Sequence, residues 1–227
     1  MKRLIYFAAA FIFSSSALAA ATGGHSLGGG VILVTPVQED LNSVIDEINS
    51  AESRSINKLG TAYELDAYYQ YRFSGSMFAL QFRPSYFMQT ASGSSYETKL
   101  TGFTVFPMLR MYPLENTFIH FFLQTGLGYG HLSGTMSGPN GSVDWVGGAF
   151  GAMGGLGAEF CFTPSHCMVI EGNIRYLPIE RNIVTGSSGS VSGFDTVTND
   201  GELENGNMDV KTTMSGIQGA LQYQFNF

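Results

Sequence analysis

Charge is what this sequence has least of. Charged side chains make up 13% of its 227 residues, about half the usual share for soluble domains. Cations are the scarcer sign: 11 Lys and Arg stand against 18 Asp and Glu, for a formal charge of -7. A chain this acidic is a poor candidate for nucleic acid, so no nucleic-acid partner is expected. Downstream of the N-terminus no stretch reaches the roughly 18 apolar residues of a membrane-crossing helix. No composition shift or Pro/Ser-rich linker divides the chain, which is long enough for one domain with a sizeable core.

Glycine (29) and aromatics (13%) are plentiful instead. Low charge with abundant Gly and aromatics suggests strands whose outer face is not in water. The N-terminus reads as a secretory signal: Lys2 and Arg3 lead, Leu4 to Phe13 is apolar but too short to span a bilayer, and "SALAA" offers Ala-x-Ala cleavage after Ala19, or after Ala21. Residues 1–19 are therefore expected to be removed and 20–227 to form the mature domain. Losing Lys2 and Arg3 takes the formal charge from -7 to -9.

The mature chain alternates. In "YELDAYYQYRF", Tyr63, Leu65, Ala67, Tyr69, Tyr71 and Phe73 share one face, and Glu64, Asp66, Tyr68, Gln70 and Arg72 the other. "SGSM" turns, and Phe78 to Met88 alternates again, which predicts a hairpin. Thr98–Tyr112, Phe118–Gly130, Trp145–Phe162, Cys167–Pro178 and about Met208–Phe227 repeat the pattern, and "SLGGGVILV" supplies an opening strand, for eight in all. Short connections ("SGSM", "PLEN", "TPSH") alternate with long ones (36–60, "TASGSSYE", "HLSGTMSGPNGSVD", 179–207). The fold class expected is all-β, an eight-stranded antiparallel transmembrane barrel with short periplasmic turns and long extracellular loops.

The polar parity carries four acids, Glu64, Asp66, Glu159 and Glu171, and four cations, Arg72, Arg83, Arg110 and Arg175. The outer parity carries only Lys99 and Lys211, at loop-side ends. Balanced charge suits a narrow lumen filled by ion pairs, where an unpaired charge costs on the order of several kcal/mol. Tyr223, Phe225 and Phe227 alternate at the C-terminus, where lipid would cover their face.

The signal, the eight strands, the alternating connections and the terminal Phe together resemble the small outer-membrane β-barrel family of Gram-negative bacteria, the group of the OmpA transmembrane domain, OmpX and OmpW. Gln218, Tyr223 and Phe225 match the spacing of the family's terminal assembly signal; Ala220 stands where the family has Gly. The resemblance implies residence in the outer membrane, with lipid, lipopolysaccharide and the barrel-assembly machinery as partners and no cofactor. With no peptidoglycan-binding segment following, anchoring through such a domain is not expected.

"GHLSG" contains His131-x-Ser133, which resembles the His-x-Ser motif of the outer-membrane lipid A deacylase; Asp144 is the only acid nearby on the adjacent strand to orient the His. A polar strand end is the plainer reading, and no enzyme is expected. Cys161 and Cys167 flank a turn on the inward parity, where facing Cα atoms come within disulfide range, in a chain bound for an oxidising compartment. A disulfide is favoured; two reduced thiols, or a metal pair with His166 that lacks a fourth ligand, are the alternatives, and no metal is expected. Leu41, Val44, Ile45 and Ile48 sit at helical spacing in the first long loop, as rim packing, a lid or a partner surface. Asp195, Asp200, Glu202, Glu204 and Asp209 read as a solvated loop lacking a calcium-loop spacing.

Two functions follow: a non-enzymatic barrel with a plugged lumen that supports the membrane or presents its loops to a surface ligand, or a barrel passing small hydrophobic molecules, with Phe106, Met108 and Phe122 lining its path. A lipid A-modifying enzyme using His131 and Ser133 is a distant third.

Overall fold

The computed structural model describes residues 24–194 and 198–227; the expected signal segment and Asp195 lie outside them. Seven strands run up and down in succession: β1 (Gly24–Thr35), β2 (Ala62–Arg72), β3 (Phe78–Gly93), β4 (Tyr96–Glu115), β5 (Ile119–Gly138), β6 (Gly141–Thr163) and β7 (His166–Tyr176). After them come short pieces, β8 (Pro178–Ile179), β9 (Asn182–Gly189), β10 (Glu204–Asn205), β11 (Met208–Asp209) and β12 (Thr212–Thr213), then the closing strand β13 (Gly216–Asn226). Each of β1–β7 pairs antiparallel with the next, β7 pairs with β13, and β13 returns to β1, with Val31 opposite Leu221. The ring of eight is closed, which leaves those strands no free edge.

Alternation built the wall. Leu65, Leu127, Phe150, Ile174 and Ile217 point outward, Phe150 at 83% and Leu127 at 73% exposure, while Glu64, Gln70, Arg83, Arg110 and Glu171 on the opposite parity are buried. Outward apolar residues of this size occur on all eight strands, far more contiguous apolar surface than a water-facing barrel carries. No helix among the described residues is long and apolar enough to cross a membrane.

Two of the long connections are not loops. β3 and β4 stay paired to Gly93↔Tyr96, closed by Ser94 and Ser95, both in the left-handed region (φ 49° and 69°) that a two-residue hairpin turn requires. β5 and β6 likewise stay paired to Gly138↔Gly141, so "TASGSSYE" and "HLSGTMSGPNGSVD" extend the wall. β9 continues the line of β7 above a break at residues 177–181, pairing with the upper part of β6 as Trp145↔Val184.

The remaining long segments fill the mouth. Helix α1 (Glu39–Ala51) buries Leu41, Val44, Ile45 and Ile48, one stripe, in the same apolar cluster as Ile32, Val34, Leu132, Trp145, Val191 and Val210. Two asparagines on α1 clasp the descending chain: Asn42 donates to the Leu59 carbonyl (3.2 Å) and accepts from its N–H (2.8 Å), and Asn49 does the same for Ile56 (3.0 and 2.8 Å). Large inward side chains in this region are seated over glycines. A Cβ on Gly134 would lie 2.1 Å from the Trp145 ring, and one on Gly128 would lie 2.6 Å from Phe106.

Candidate functional site

The lumen is divided in two. Its long-loop half is the apolar core just described, and its short-turn half is polar.

At the centre of the polar half Glu171 (β7) stands between two arginines. Its Oε1 pairs with Arg83 (β3) and its Oε2 with Arg110 (β4) at 2.9 Å, while Asn173 and Gln124 donate to the same two oxygens at 3.0 and 3.1 Å. Arg83 reaches Asp66 at 2.9 Å through Nε. Arg110 donates to Gln124 (2.8 Å) and Gln70 (3.1 Å), lies 3.4 Å from Glu159, and stacks over Phe122 with its guanidinium carbon 4.1 Å from the ring centroid. One step toward the apolar core, Arg175 holds Glu64 with two hydrogen bonds, and Ser85, itself 2.8 Å from Thr104, donates to Glu64 at 2.9 Å. These side chains are all but inaccessible. Charges so deep persist only when paired and hydrogen-bonded on several sides, as these are.

Arg72 stands apart from the other seven charges singled out in the sequence. It sits on the short-turn rim, pairs with Glu115 at 2.8 Å and lies over the Tyr112 ring at 4.4 Å. Glu115 escaped the sequence reading because a register shift between Met111 and Leu114 breaks the alternation just before it. Without Arg72, three guanidiniums in the lumen face four carboxylates, and Glu159 is the one most weakly engaged by arginine.

Below the plug the barrel opens into a vestibule of about 360 Å³ lined by Gln70, Arg72, Tyr112, His120, Glu159 and Gln224. His120 lies directly across the β5–β6 pairing from Glu159, a partnership that aligning the two strands of that hairpin would have exposed. Cys161 and Cys167 close the β6–β7 hairpin as a disulfide.

The remaining sequence candidates fall elsewhere. His131 and Ser133 face outward on β5, His131 against the Phe103 ring, and Asp144 accepts from Thr135 at 2.6 Å instead of orienting the imidazole. Phe106, Met108 and Phe122 are about 1% exposed and line no open path. Tyr223, Phe225 and Phe227 project from the short-turn rim, where His166 hydrogen-bonds Tyr223, and His25 stacks on Phe227 and lies 2.5 Å from Tyr69. At the other end Glu202, Glu204 and Asp209 converge, Glu202 already paired with Arg181, while Leu203 and Val210 are buried, so this segment is docked rather than freely solvated. Ser192 and Tyr96 donate hydroxyls to Glu52 and, with Arg54, hold its carboxyl below the usual carboxylate range. Glu180 beside Lys211 pushes that ammonium up.

No protein-family model and no curated relative matches the chain. Solved structures do. The outer membrane protein OprG from Pseudomonas aeruginosa superposes over 91% of this chain and 96% of its own at TM-score 0.54 and 12% identity. The fold is that of the small outer-membrane β-barrels. Neisserial surface protein A covers 90% of this chain and 97% of its own at TM-score 0.52 and 9% identity. A major outer membrane protein from Thermus thermophilus covers 89% and 99% at TM-score 0.55 and 10% identity.

Proposed function

We propose that this chain resides in the outer membrane as a non-enzymatic barrel that conducts nothing, supporting the membrane and presenting its capped end to the outside. The observation that carries this reading is the double closure of the lumen: an ion-pair network around Glu171 fills one half, and α1 with its apolar core fills the other. An eight-stranded ring leaves an interior that side chains can fill. The belt of outward Leu, Ile and Phe supplies the lipid contact, Lys99 and Lys211 meet the headgroup side, and lipopolysaccharide is the expected neighbour there. Tyr223, Phe225 and Phe227, at the end of the strand that completes the ring, are the residues the assembly machinery would read. Among the similar structures, one is named a surface protein, in keeping with display of the capped end.

Uptake of hydrophobic molecules is disfavoured because Phe106, Met108 and Phe122 are packed, and lipid A chemistry because Asp144 is engaged by Thr135. Planar-bilayer conductance of the refolded protein tests the reading. A silent bilayer, with folding shown by circular dichroism and heat-modifiable migration, supports it; steady openings blocked by a hydrophobic solute overturn it in favour of uptake.

A further inference from the structure

Beside the vestibule lies a donor set of which the ion-pair plug engages only Glu159. His120 Nδ1 lies 3.4 Å from Glu159 Oε2 and 3.8 Å from Cys161 Sγ, and one ligand atom from each residue lies within 4.8 Å of the other two. As hydrogen bonds these contacts are long. As edges of a tetrahedral shell they are close to size, because metal–donor bonds of about 2.0–2.3 Å place neighbouring donors about 3.3–3.8 Å apart. Glu159 divides its oxygens accordingly: Oε1 accepts from Tyr112 and Arg110, and Oε2 faces the imidazole. The lumen also carries one carboxylate more than its arginines balance, and that carboxylate is Glu159 by position. A fourth donor is adjacent, since Cys167 is bonded to Cys161.

We propose that the Cys161–Cys167 disulfide is a redox latch on a metal site: once it is reduced, the two thiolates, His120 Nδ1 and Glu159 Oε2 bind one divalent ion of the zinc class. Two sulfurs, one imidazole and one carboxylate are a donor set suited to Zn²⁺ in tetrahedral geometry. While the sulfur–sulfur bond stands, neither sulfur is a thiolate and only the imidazole and the carboxylate can serve. A dithiol opens it: one thiolate of the reductant attacks a protein sulfur to give a mixed disulfide, and its second thiol releases the protein dithiol and leaves as the reductant's own disulfide. Two electrons and two protons pass to the cysteines, and metal binding expels those two protons. Metal and reductant both enter from the vestibule, whose wall includes His120, Glu159 and the hairpin residues Pro164 and Ser165.

Cobalt reports on such a site. The purified full barrel in detergent is titrated with Co²⁺ before and after reduction by a phosphine, with thiols counted in each sample. Reduced protein is expected to take up one Co²⁺ with thiolate charge-transfer bands and tetrahedral d–d absorption, both erased by Zn²⁺; oxidised protein is expected to show neither. His120→Ala should weaken binding by at least about tenfold, since even outer-shell partners of a metal matter that much. Two titratable thiols without a thiolate band, or equal binding in both redox states, overturns the proposal. Should His120→Ala fail to fold, X-ray absorption of the reduced, zinc-loaded wild type decides: two sulfur and two nitrogen or oxygen donors support the site, and a shell without sulfur refutes it.

Discussion

Arg175 grips Glu64 across two intervening strands, Nη1 donating to Oε2 at 3.1 Å and Nη2 to Oε1 at 2.5 Å, at the boundary between the polar and apolar halves of the lumen. Arg175 Nε donates to the Met214 carbonyl at 2.6 Å, so the same guanidinium fixes the chain leading into the closing strand. Removing one partner strands the other charge in a buried site. Glu64→Leu should destabilise the barrel by about 3–5 kcal/mol, and Glu64→Leu with Arg175→Met should restore most of the loss. Urea unfolding in lipid vesicles measures both; equal damage from the single and the double change would refute the pairing as the source of the cost.

Glu171 is the hub of the plug, and Arg110 fills the space beside it. Replacing both by Ser leaves the charge balance of the lumen unchanged while removing the bulk. Planar-bilayer recordings should find the double variant as silent as the wild type, because the apolar mouth still seals the barrel; openings would mean that the ion-pair network is the only effective seal.

Gly134 exists to admit Trp145. Gly134→Ala puts a methyl 2.1 Å from the ring and should cost about 1–3 kcal/mol by overpacking. Adding Trp145→Leu to make room should bring the penalty below the sum of the two single changes, as read in the same unfolding assay.

Asn42 and Asn49 hold the chain that descends from α1 to β2. Asn42→Ala orphans the N–H and carbonyl of Leu59, a loss of about 1–3 kcal/mol. That loss is expected to appear as faster protease cleavage between residues 52 and 61 while the heat-modifiable barrel band is unchanged.

The lowered carboxyl of Glu52 gives the cap an acid sensitivity. Because its folded value lies below the ordinary 4.5, the stability it contributes is complete above that value and is lost as pH falls through the lowered one. Thermal unfolding compared with Glu52→Gln should show a constant difference at neutral pH that shrinks as pH falls below 4.5; a pH-independent difference would remove the carboxylate from the explanation.

The wall was legible because alternation is a local property: from Tyr63 to Arg72 every second residue announces lipid or lumen, and the structure obeys it. What the sequence hid is long-range or irregular. Residues 90–97 and 131–144 look like loops since Ser, Thr and Gly carry no apolar period, yet backbone pairing across the hairpins does not need one. The pairing of Arg72 with Glu115 depends on a bulge, and the division into polar and apolar halves depends on α1 turning inward, which helical spacing allows but does not dictate. His120 was visible on the inward parity of β5; its significance needed the register that sets it opposite Glu159.

Four side chains on one stripe of α1 supply that helix's apolar packing. Its opposite face, with Asp46, Glu47 and Ser50, engages only neighbouring connecting segments, Asp46 pairing with Lys58 and Glu47 accepting from Asn205. In the proposed orientation that face can change in sequence while the lumen, the closing strand pairing and the outward apolar belt stay as they are.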